Sequence, residues 1–328
     1  MSNNILITGG NGYLGSNLIQ LILQKKKLKI NKIIIVDNLS NSDLIKKKKI
    51  TNLSKKIIFY KFDINNKIKL RNVFKKYKVK TLFHFASLKS VEEAKKYPEK
   101  YIKKNIADTI SLINAINGSS VKNIIFSSTA GVYEHNNQNQ NSENDLVNPS
   151  NPYSYSKRVC ENILYQLFLK KKINIVILRL FNIMGHIEKN KIFSEYRGNI
   201  SDNIIYSLRQ KKTFIINSKN TDSEGSVRDF IHIEDVCNAN LKAFKLLELN
   251  KKFYSIFNIG SGKSISIKNL IKKFNKYSKN KLDYKNSFKK SAGQEKSYAN
   301  IKKSNKILKW IPTKNIGEIC KSEIRSLT

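Results

Sequence analysis

The sequence predicts an α/β protein with a doubly wound parallel sheet and a smaller mixed α/β domain on its C-terminal side. Over the first 182 residues, short apolar runs alternate with segments of helical periodicity, as strands and covering helices do in parallel sheets. The first apolar run leads directly into a cluster of glycines, after which a helical pattern begins. Beyond Asn182 the alternation becomes irregular, which predicts the second, mixed domain.

The elements of the first half follow from two periodicities. Short, mostly apolar runs that close on a polar or turn-forming residue predict strands at residues 4–8, 32–36, 57–62, 81–85, 123–127 and 174–180. Apolar residues that recur every three or four positions predict helices at residues 13–24, 67–77, 99–117 and 153–171. Each strand is thus followed by a connection long enough to cross over the sheet.

The second half predicts fewer elements. Strands are expected at residues 227–231 and 256–259 with a helix at 234–249 between them, and helical periodicity recurs at 266–276 and 301–310. Polar stretches at 136–151 and 186–199 are expected to be loops. We expect residues 1–182, joined by 227–259, to form one domain, and residues 183–226 with 260–328 to form the other.

The composition limits the kinds of partner that the chain is expected to bind. A net charge of +38 is typical of proteins that bind nucleic acid. Most of that charge is lysine, which accompanies abundant Asn and Ile, and all three residue types have A/T-rich codons. The lysines also form runs along helices and loops instead of one patch. We therefore expect no nucleic-acid partner.

The cysteines and the hydropathy of the chain indicate the cellular compartment of the protein. Cys160, Cys237 and Cys320 are odd in number and scattered, without metal-ligand spacing or a disulfide pattern. No apolar run reaches the roughly 18 residues that a transmembrane helix needs. The first predicted strand begins at residue 4, which leaves no room for a signal peptide. We expect a cytoplasmic protein with no structural metal and no membrane contact.

The glycine cluster is the most informative motif. Gly10-x-Gly12-x-x-Gly15 fits the dinucleotide-binding pattern, and Gly9 offers a second reading of it, Gly9-x-x-Gly12-x-x-Gly15. Such glycines permit the sharp strand-to-helix turn, the close approach of backbone to a pyrophosphate and tight packing of the helix on the strand. The helix N-terminus adds N–H donors and a positive dipole end. A bound dinucleotide is therefore predicted.

Polar residues end several of the predicted strands, where a cofactor cleft is expected. Asp37 closes the second strand at about the expected distance of twenty residues, and its carboxylate would accept hydrogen bonds from a ribose diol and repel a 2′-phosphate. That predicts NAD as the cofactor, in preference to NADP. Asp63-Ile64 is expected near the adenine, and an N-cap role for Asp63 in the next helix stays open beside this.

Tyr153-x-x-x-Lys157 opens the last predicted helix of this half. A spacing of four places both side chains on one helix face. We expect the lysine ammonium and a nicotinamide cation to lower the pKa of the Tyr153 phenol, which would make it a general base at neutral pH. This pair is common on amphipathic helices. Ser127-Ser128-Thr129, which ends the preceding strand, adds a hydroxyl that would bridge Tyr153 and a substrate oxygen.

Several stretches, taken together, resemble a known family. They are residues 8–16, 37–38, 83–91, 126–133, 152–157, 178–182 and 227–232. They come in the order found in the extended short-chain dehydrogenase/reductase family, and Phe85-Ala-Ser-Leu-Lys89 followed by Val91 resembles most its nucleotide-sugar epimerases. The likeness spans most of the chain.

The resemblance implies roles for individual positions. Tyr153 would remove the proton of a sugar 4-hydroxyl, Thr129 would align that proton, and Lys157 would hold the nicotinamide ribose. The residues implied to bind NAD are Gly9, Gly12, Tyr13, Leu14, Gly15, Asp37, Asn38, Asp63, Ile64, Phe85, Ala86, Lys89, Asn105, Ser127, Tyr153 and Lys157. Those implied to bind the substrate are Ser128, Thr129, Asn182, Asn199, Arg228, Lys290 and Ser297.

Three departures from the family pattern bear on these roles. Ser87 and Gly131 stand where the epimerases usually have Gly and, in many cases, Thr. Residues 289–294 replace an Arg-x-Gly-Asp stretch that grips the substrate nucleotide, and Lys290 brings a point charge without the bidentate fork of arginine. Whether Ser297 or Tyr298 lines the sugar pocket is left open, and only the smaller serine would leave room for an N-acetyl group.

The resemblance implies an NAD-dependent 4-epimerase that interconverts UDP-glucose and UDP-galactose through a 4-keto intermediate, with NAD remaining bound. A 4-epimerase of UDP-GlcNAc or of a UDP-uronate is an alternative, as is a 4,6-dehydratase or a decarboxylase. Ala130-Gly131 after Thr129 argues against a dehydratase, whose relatives carry Asp-Glu there. A non-catalytic dinucleotide-binding protein is the alternative from another class. The resemblance also implies a homodimer that pairs the helices at 99–117 and 153–171.

Overall fold

The structure, a computed structural model, describes residues 3–25, 27–133, 140–187, 200–217, 224–287 and 296–325. Its strands are β1 (Ile5–Thr8), β2 (Ile33–Asp37), β3 (Ile57–Lys61), β4 (Thr81–His84), β5 (Asn123–Thr129), β6 (Gln140–Asn141), β7 (Asn174–Leu180), β8 (Asn182–Met184), β9 (Phe214–Asn217), β10 (Val227–Arg228), β11 (Phe230–His232), β12 (Tyr254–Ile259), β13 (Ile265–Ser266), β14 (Tyr284–Ser287) and β15 (Lys296–Ala299).

The helices alternate with these strands in the first half and are interspersed with shorter strands in the second. They are α1 (Tyr13–Gln24), α2 (Leu44–Thr51), α3 (Lys67–Tyr77), α4 (Val91–Lys96), α5 (Pro98–Ala115), α6 (Pro152–Lys170), α7 (Ile200–Gln210), α8 (Ile233–Leu249), α9 (Ile267–Tyr277), α10 (Lys302–Lys306) and α11 (Ile316–Arg325). Within the described residues, every helix is too short or too polar to cross a membrane.

The central sheet has seven strands in the order β12-β7-β5-β4-β1-β2-β3. Every neighbouring pair is parallel. The chain builds β1 to β3 outward to one side and then continues from β4 on the other side of β1, so the order reverses between β1 and β4. Ligands of such sheets bind at the carboxyl ends of the strands beside this reversal. The predicted doubly wound parallel sheet is confirmed.

Both faces of the sheet are covered, which explains why its strands are nearly continuous apolar runs. Ile5 and Ile7 face one hydrophobic cluster, which α1 and α8 complete. Leu6, between them, faces a second cluster formed with α3, α5 and α6. A third cluster around Phe274 joins α7, α9 and α11, away from both faces of the sheet. This separate cluster supports the proposed second domain, whose boundaries stay a prediction.

The predicted strand at 227–231 is wrong as a single element. β10 lies in a four-stranded sheet with β13, β15 and β6, whereas β11 pairs with β8. Asp229, between them, is fully buried and accepts backbone N–H groups of Gly262 and Ala299, both at 3.0 Å. These bonds hold Asp229 at the point where the chain leaves β10 and enters β11.

Several other elements differ from the prediction. Four helices were not predicted, namely α2, α4, α7 and α11, and the helical pattern at 301–310 reduces to α10. The helix α2 shows why: it carries four consecutive lysines, and Ile50 is its one fully apolar buried side chain. The predicted loop at 136–151 contains β6, and residues 188–199 of the other predicted loop lie outside the described residues.

Candidate functional site

The glycine turn between β1 and α1 has room for backbone only. Gly9 adopts a positive φ of 68°, and a Cβ atom there would lie 2.7 Å from the backbone nitrogen of Ala86. A Cβ atom at Gly15 would lie 2.5 Å from the Gly9 carbonyl oxygen. The Gly12 N–H closes the turn by donating to that same oxygen at 3.1 Å. The turn therefore keeps a concave backbone surface at the carboxyl end of β1.

The N-terminus of α1 opens onto this turn. Gly12 is its N-cap and brings no side-chain hydrogen bond to the helix end, so the positive end of the helix dipole faces the turn. The Tyr13 side chain points elsewhere: its hydroxyl donates to the Gly185 carbonyl, and the ring is buried. Leu14 is half-buried. Any contact of Tyr13 with a cofactor thus falls to its backbone.

Asp37, at the end of β2, lies beside the glycine turn. Its carboxylate accepts the Asn11 N–H at 2.9 Å and the Leu39 N–H at 2.8 Å. Burial raises the pKa of Asp37, and these two hydrogen bonds oppose that rise. Each carboxylate oxygen retains a second acceptor position, so the geometry suits the ribose diol that the sequence predicts.

Asp63 follows β3 at the same edge of the sheet. The Asn38 amide donates to it at 2.9 Å, and the Lys104 ammonium contacts both of its oxygens, at 2.6 and 2.7 Å. The N-cap of α3 is Asn66, so the alternative N-cap role of Asp63 is wrong. Ile64, the next residue, is buried.

The carboxyl end of β5 carries an unsatisfied hydroxyl. Ser127 Oγ is buried and has no hydrogen-bond partner among the described residues. The Lys157 ammonium donates to the Ser127 carbonyl oxygen at 2.9 Å and lies 4.7 Å from the centre of the Phe126 ring. Burial lowers the pKa of Lys157 to about 8. Because buried polar groups are normally hydrogen-bonded, the unpaired Ser127 hydroxyl beside a buried ammonium indicates a place where a polar ligand would bind.

Tyr153 and Thr129 form the predicted hydroxyl pair. Burial raises the pKa of Tyr153 to about 12, and a side-chain hydrogen bond with Thr129 opposes that rise. Burial is thus the larger influence on the Tyr153 phenol in the chain without its cofactor, and the expected lowering of its pKa by Lys157 together with a nicotinamide cation stays a prediction. Thr129 Oγ1 also accepts the Gly131 N–H at 3.1 Å, so its orientation is held from both sides.

Asn105 braces the segment that follows β4. Its side chain accepts the Leu88 N–H and donates to Ser156 on α6, both at 2.9 Å. The N–H groups of Phe85 and Ala86 each donate to Thr8 Oγ1 at 3.2 Å. This segment is thereby held between the glycine turn and α6, and the exposed Lys89 follows it.

The Ser128 side chain points to the opposite face of β5 from those of Ser127 and Thr129. Successive residues of a strand point to opposite faces, and the Ser128 hydroxyl donates to the buried Glu161 at 2.6 Å. Arg179 of β7 holds the same carboxylate through two nitrogens, at 3.0 and 2.8 Å. The predicted substrate contact of Ser128 does not fit this placement, so Ser128 is left out of the site proposed below.

The predicted substrate residues of the second half gather around β10. Asn182 donates its backbone N–H and its side-chain amide to the Asp229 carbonyl, at 3.1 and 2.9 Å. Arg228 lies directly across from Ser297 in the β10–β15 pairing. Burial lowers the pKa of Arg228 to about 10, which marks a guanidinium in a poorly solvated position. Such a position suits an anion.

Ser297 and Tyr298 point to opposite faces of β15. Ser297 is buried, and its hydroxyl accepts a hydrogen bond from Asn141 at 2.9 Å. Tyr298 is half-buried, with the Lys296 ammonium 5.8 Å from its ring centre. Asn199 and Lys290 lie outside the described residues, as does the whole stretch 289–294 that departs from the family pattern.

Two buried residues of this region were not predicted. Asp229 organises β10, β11 and β15, and Asn141 fixes the Ser297 hydroxyl. An aspartate within an apolar run was a signal for Asp229, since burying a carboxylate demands partners. Nothing in the sequence near Asn141 marked it out. Its partners lie more than one hundred residues away in the chain.

The residues present fit a dinucleotide. The glycine turn at the end of β1 leaves space that a side chain would fill, and Ser127 at the end of β5, two strands away across β4, offers an unpaired buried hydroxyl. In the described parts of the chain, no three His, Cys, Asp or Glu side chains come together as a metal site would require.

Comparison with known proteins agrees with this geometry. A family model described as the NAD dependent epimerase/dehydratase family matches residues 5–260. A UDP-glucose 4-epimerase of Dictyostelium discoideum is 30% identical over 330 residues, which cover 98% of this chain and 94% of that protein.

Solved structures share the fold over almost the whole chain. A UDP-glucose-4-epimerase from Stenotrophomonas maltophila with bound NAD and formylated UDP-arabinopyranose superposes with a TM-score of 0.91 at 25% identity, covering 98% of this chain and 97% of that one. A UDP-glucose 4-epimerase from Bifidobacterium longum in complex with NAD+ and UDP gives a TM-score of 0.89 at 25% identity, with the same coverage.

Proposed function

The chain belongs to the NAD-dependent epimerase/dehydratase family, and we propose that it interconverts UDP-glucose and UDP-galactose with bound NAD. One observation carries the proposal: Tyr153, Thr129 and Lys157 meet at the carboxyl end of β5, at the same edge of the sheet as the glycine turn. The names of the relatives agree with it, since the proteins that this chain matches over nearly their full length are called UDP-glucose 4-epimerases.

The cofactor is held along the carboxyl edge of the sheet. The backbone of Gly9, Gly12 and Gly15 receives the pyrophosphate at the N-terminus of α1, and Asp37 accepts the adenosine ribose. Ser127 and Lys157 contact the nicotinamide ribose side. When bound, NAD supplies a hydride acceptor and a positive charge that favours the ionised form of a nearby phenol.

Proton transfer is the work of the chain. Tyr153 takes the proton of the sugar 4-hydroxyl and returns it at the end of the turnover. Thr129, which is hydrogen-bonded to Tyr153, aligns the substrate oxygen. Lys157 is buried beside them and adds its ammonium field to the site. The 4-keto sugar must turn over between the two transfers, so the pocket holds the sugar loosely.

The nucleotide end of the substrate is held more firmly. Arg228, poorly solvated on β10, pairs with a phosphate through its planar guanidinium, and Asn182 on β8 lies next to it through its hydrogen bonds to the Asp229 carbonyl. Ser297, opposite Arg228, borders the sugar pocket, whereas Tyr298 faces away. Firm binding of the diphosphate with a loosely held sugar is what an inversion at C4 requires.

Turnover tests this proposal. Purified protein is expected to convert UDP-galactose to UDP-glucose without added reductant, as measured by chromatographic separation of the products. Tyr153→Phe should lower kcat by roughly 100- to 10,000-fold because it removes the general base. Tyr155→Phe, two positions along α6 and half exposed, is the matched control and should keep wild-type activity.

The same assay separates the alternatives. If the wild type leaves both UDP-hexoses unchanged but converts UDP-GlcNAc or a UDP-uronate, the proposed 4-epimerase reaction stands and the proposed substrate is wrong. Binding of NAD without turnover of any UDP-sugar would contradict catalysis altogether.

We further propose a cytoplasmic homodimer in which α5 and α6 pair with the same helices of a second copy. Ile110 on α5 and Leu169 on α6 are large apolar side chains that are 42% and 55% exposed in the single chain. The two helices pack against each other, and we infer that these two side chains form part of the surface that a second copy covers. An apolar surface of this kind on paired helices is typical of an interface.

A further inference from the structure

The adenine end of the proposed cofactor site contains a closed group of charges. Lys104 and Asp108 lie four residues apart on α5, and their side chains meet at 2.7 Å. The Lys104 ammonium also bridges both oxygens of Asp63 after β3, at 2.6 and 2.7 Å. Asn38 after β2 completes the group by donating to Asp63 at 2.9 Å. We call Asn38, Asp63, Lys104 and Asp108 the Lys104 cluster.

The acceptor positions of Asp63 are all used. A carboxylate has about four lone-pair sites. One oxygen of Asp63 accepts the Asn65 N–H at 3.1 Å and the Lys104 ammonium, and the other accepts the Asn38 amide and the same ammonium. A further donor can reach Asp63 only by displacing one of these partners.

The donors of Lys104 are used as well. An ammonium has three protons, and the contacts to the two oxygens of Asp63 and to Asp108 account for all three. Burial opposes both charges, yet these bonds raise the pKa of Lys104 and lower that of Asp63. The charged groups that face Asp63 are thus Lys104 and Asp108, and the pair stays ionised at neutral pH.

We propose that Lys104 occupies the acceptor side of Asp63, so that this protein binds its dinucleotide without recognising the 6-amino group of the adenine. This inference rests on the proposed function, together with the sequence-based expectation that the adenine of the bound NAD lies beside Asp63. An amino group needs an acceptor, and the carboxylate nearest to it already has its partners. Lys104 is therefore a specificity-determining residue that broadens the range of bases accepted at this end of the cofactor.

A competition between two dinucleotides tests the proposal. The competitor is nicotinamide–purine dinucleotide, which carries hydrogen in place of the adenine 6-amino group and keeps the ring nitrogens. The purified protein is equilibrated with both at equal concentration, and the bound dinucleotides are released by denaturation and quantified. Wild type is expected to hold the two within about threefold of each other, since no hydrogen bond is lost.

Removing the ammonium should create the missing selectivity. Lys104→Met frees one acceptor position on each oxygen of Asp63, and the variant is expected to prefer NAD by about tenfold to a hundredfold, the effect of one hydrogen bond to a charged group. Lys103→Met, on the exposed neighbouring position of α5, is the matched control and should behave as wild type.

Each outcome is decisive. A wild-type preference for NAD of tenfold or more would overturn the proposal without any variant, as would equal binding of both dinucleotides by Lys104→Met. If neither dinucleotide binds, the proposed function itself fails, which the competition reveals separately from any loss of selectivity.

Discussion

Gly9 and Gly118 share a backbone conformation, with φ values of 68° and 72°, but differ in their surroundings. The Cβ of an alanine at Gly9 would press against the backbone of Ala86, whereas at Gly118 it would meet nothing within 4 Å. At the residue scale, this pair separates the conformational demand of a turn from its demand for space.

Alanine at each of the two glycines should therefore have different effects. Gly118→Ala is expected to cost only the left-handed strain, about 1 kcal/mol, and to leave dinucleotide binding intact. Gly9→Ala adds overpacking of about 1–3 kcal/mol and should abolish NAD binding. Urea unfolding and the NAD content of the purified protein measure both effects. Equal losses in the two variants would show that space at the turn does not matter.

A second prediction at this scale concerns the pH dependence of stability, and it follows from the Lys157 pKa of about 8. An unfolded lysine titrates near 10.4, so between these values the unfolded chain binds more protons than the folded one. Burial of the ammonium thus destabilises the protein below pH 8, and that penalty is relieved as the pH rises through 8. Lys157→Met should be more stable than wild type at pH 7, though inactive.

The pH dependence is the decisive part of that prediction. The difference in unfolding free energy between Lys157→Met and wild type should shrink from pH 7 to pH 9.5, as measured by urea unfolding at both values. A difference that stays constant or widens would mean that the lysine is not buried as a charge.

At the element scale, α6 combines function and support on one face. Tyr153, Lys157 and Glu161 follow one another at intervals of four, and Glu161 is bound by the buried Arg179 of β7. The Arg179 guanidinium also lies 4.9 Å from the centre of the Tyr133 ring. The pair anchors α6 to the sheet one turn beyond the reacting residues.

Removing one partner of this pair should cost more than removing both. Glu161→Leu leaves a buried, unpaired guanidinium, and we expect a loss of about 3–5 kcal/mol. The double variant Glu161→Leu/Arg179→Met replaces the charges with apolar groups of similar size and should be more stable than Glu161→Leu. Urea unfolding of both single variants and of the double variant measures the coupling. Additive losses would contradict it.

At the scale of the whole molecule, the proposed homodimer depends on the surface shared by α5 and α6. Ile110→Lys places a charge in that surface and should shift the protein to a monomer in light scattering coupled to size-exclusion chromatography. Ile68→Lys on α3, at a position 74% exposed, is the control and should leave the assembly unchanged. A monomeric wild type would overturn the proposal.

Much of the fold could be predicted because its signals are local. The strands of the parallel sheet are continuous apolar runs, and α1, α3 and β7 begin and end at the predicted residues. Helices with weak patterns escaped prediction: in α2, four of the eight residues are lysine, and only one fully apolar side chain is buried. The formation of such a helix depends on the surface that its buried side chain covers, here through Ile50.

The sequence by itself determined the dinucleotide turn and the Tyr153–Lys157 pair, because each rests on contacts within one strand–helix unit or one helical turn. Only the tertiary structure decided which neighbouring side chains reach the site. It turned Ser128 toward Glu161, divided the predicted strand at Asp229 and enclosed Asp63 with Lys104. Each of these arrangements depends on partners distant in the chain, whose burial supplies the energy that local pattern does not record.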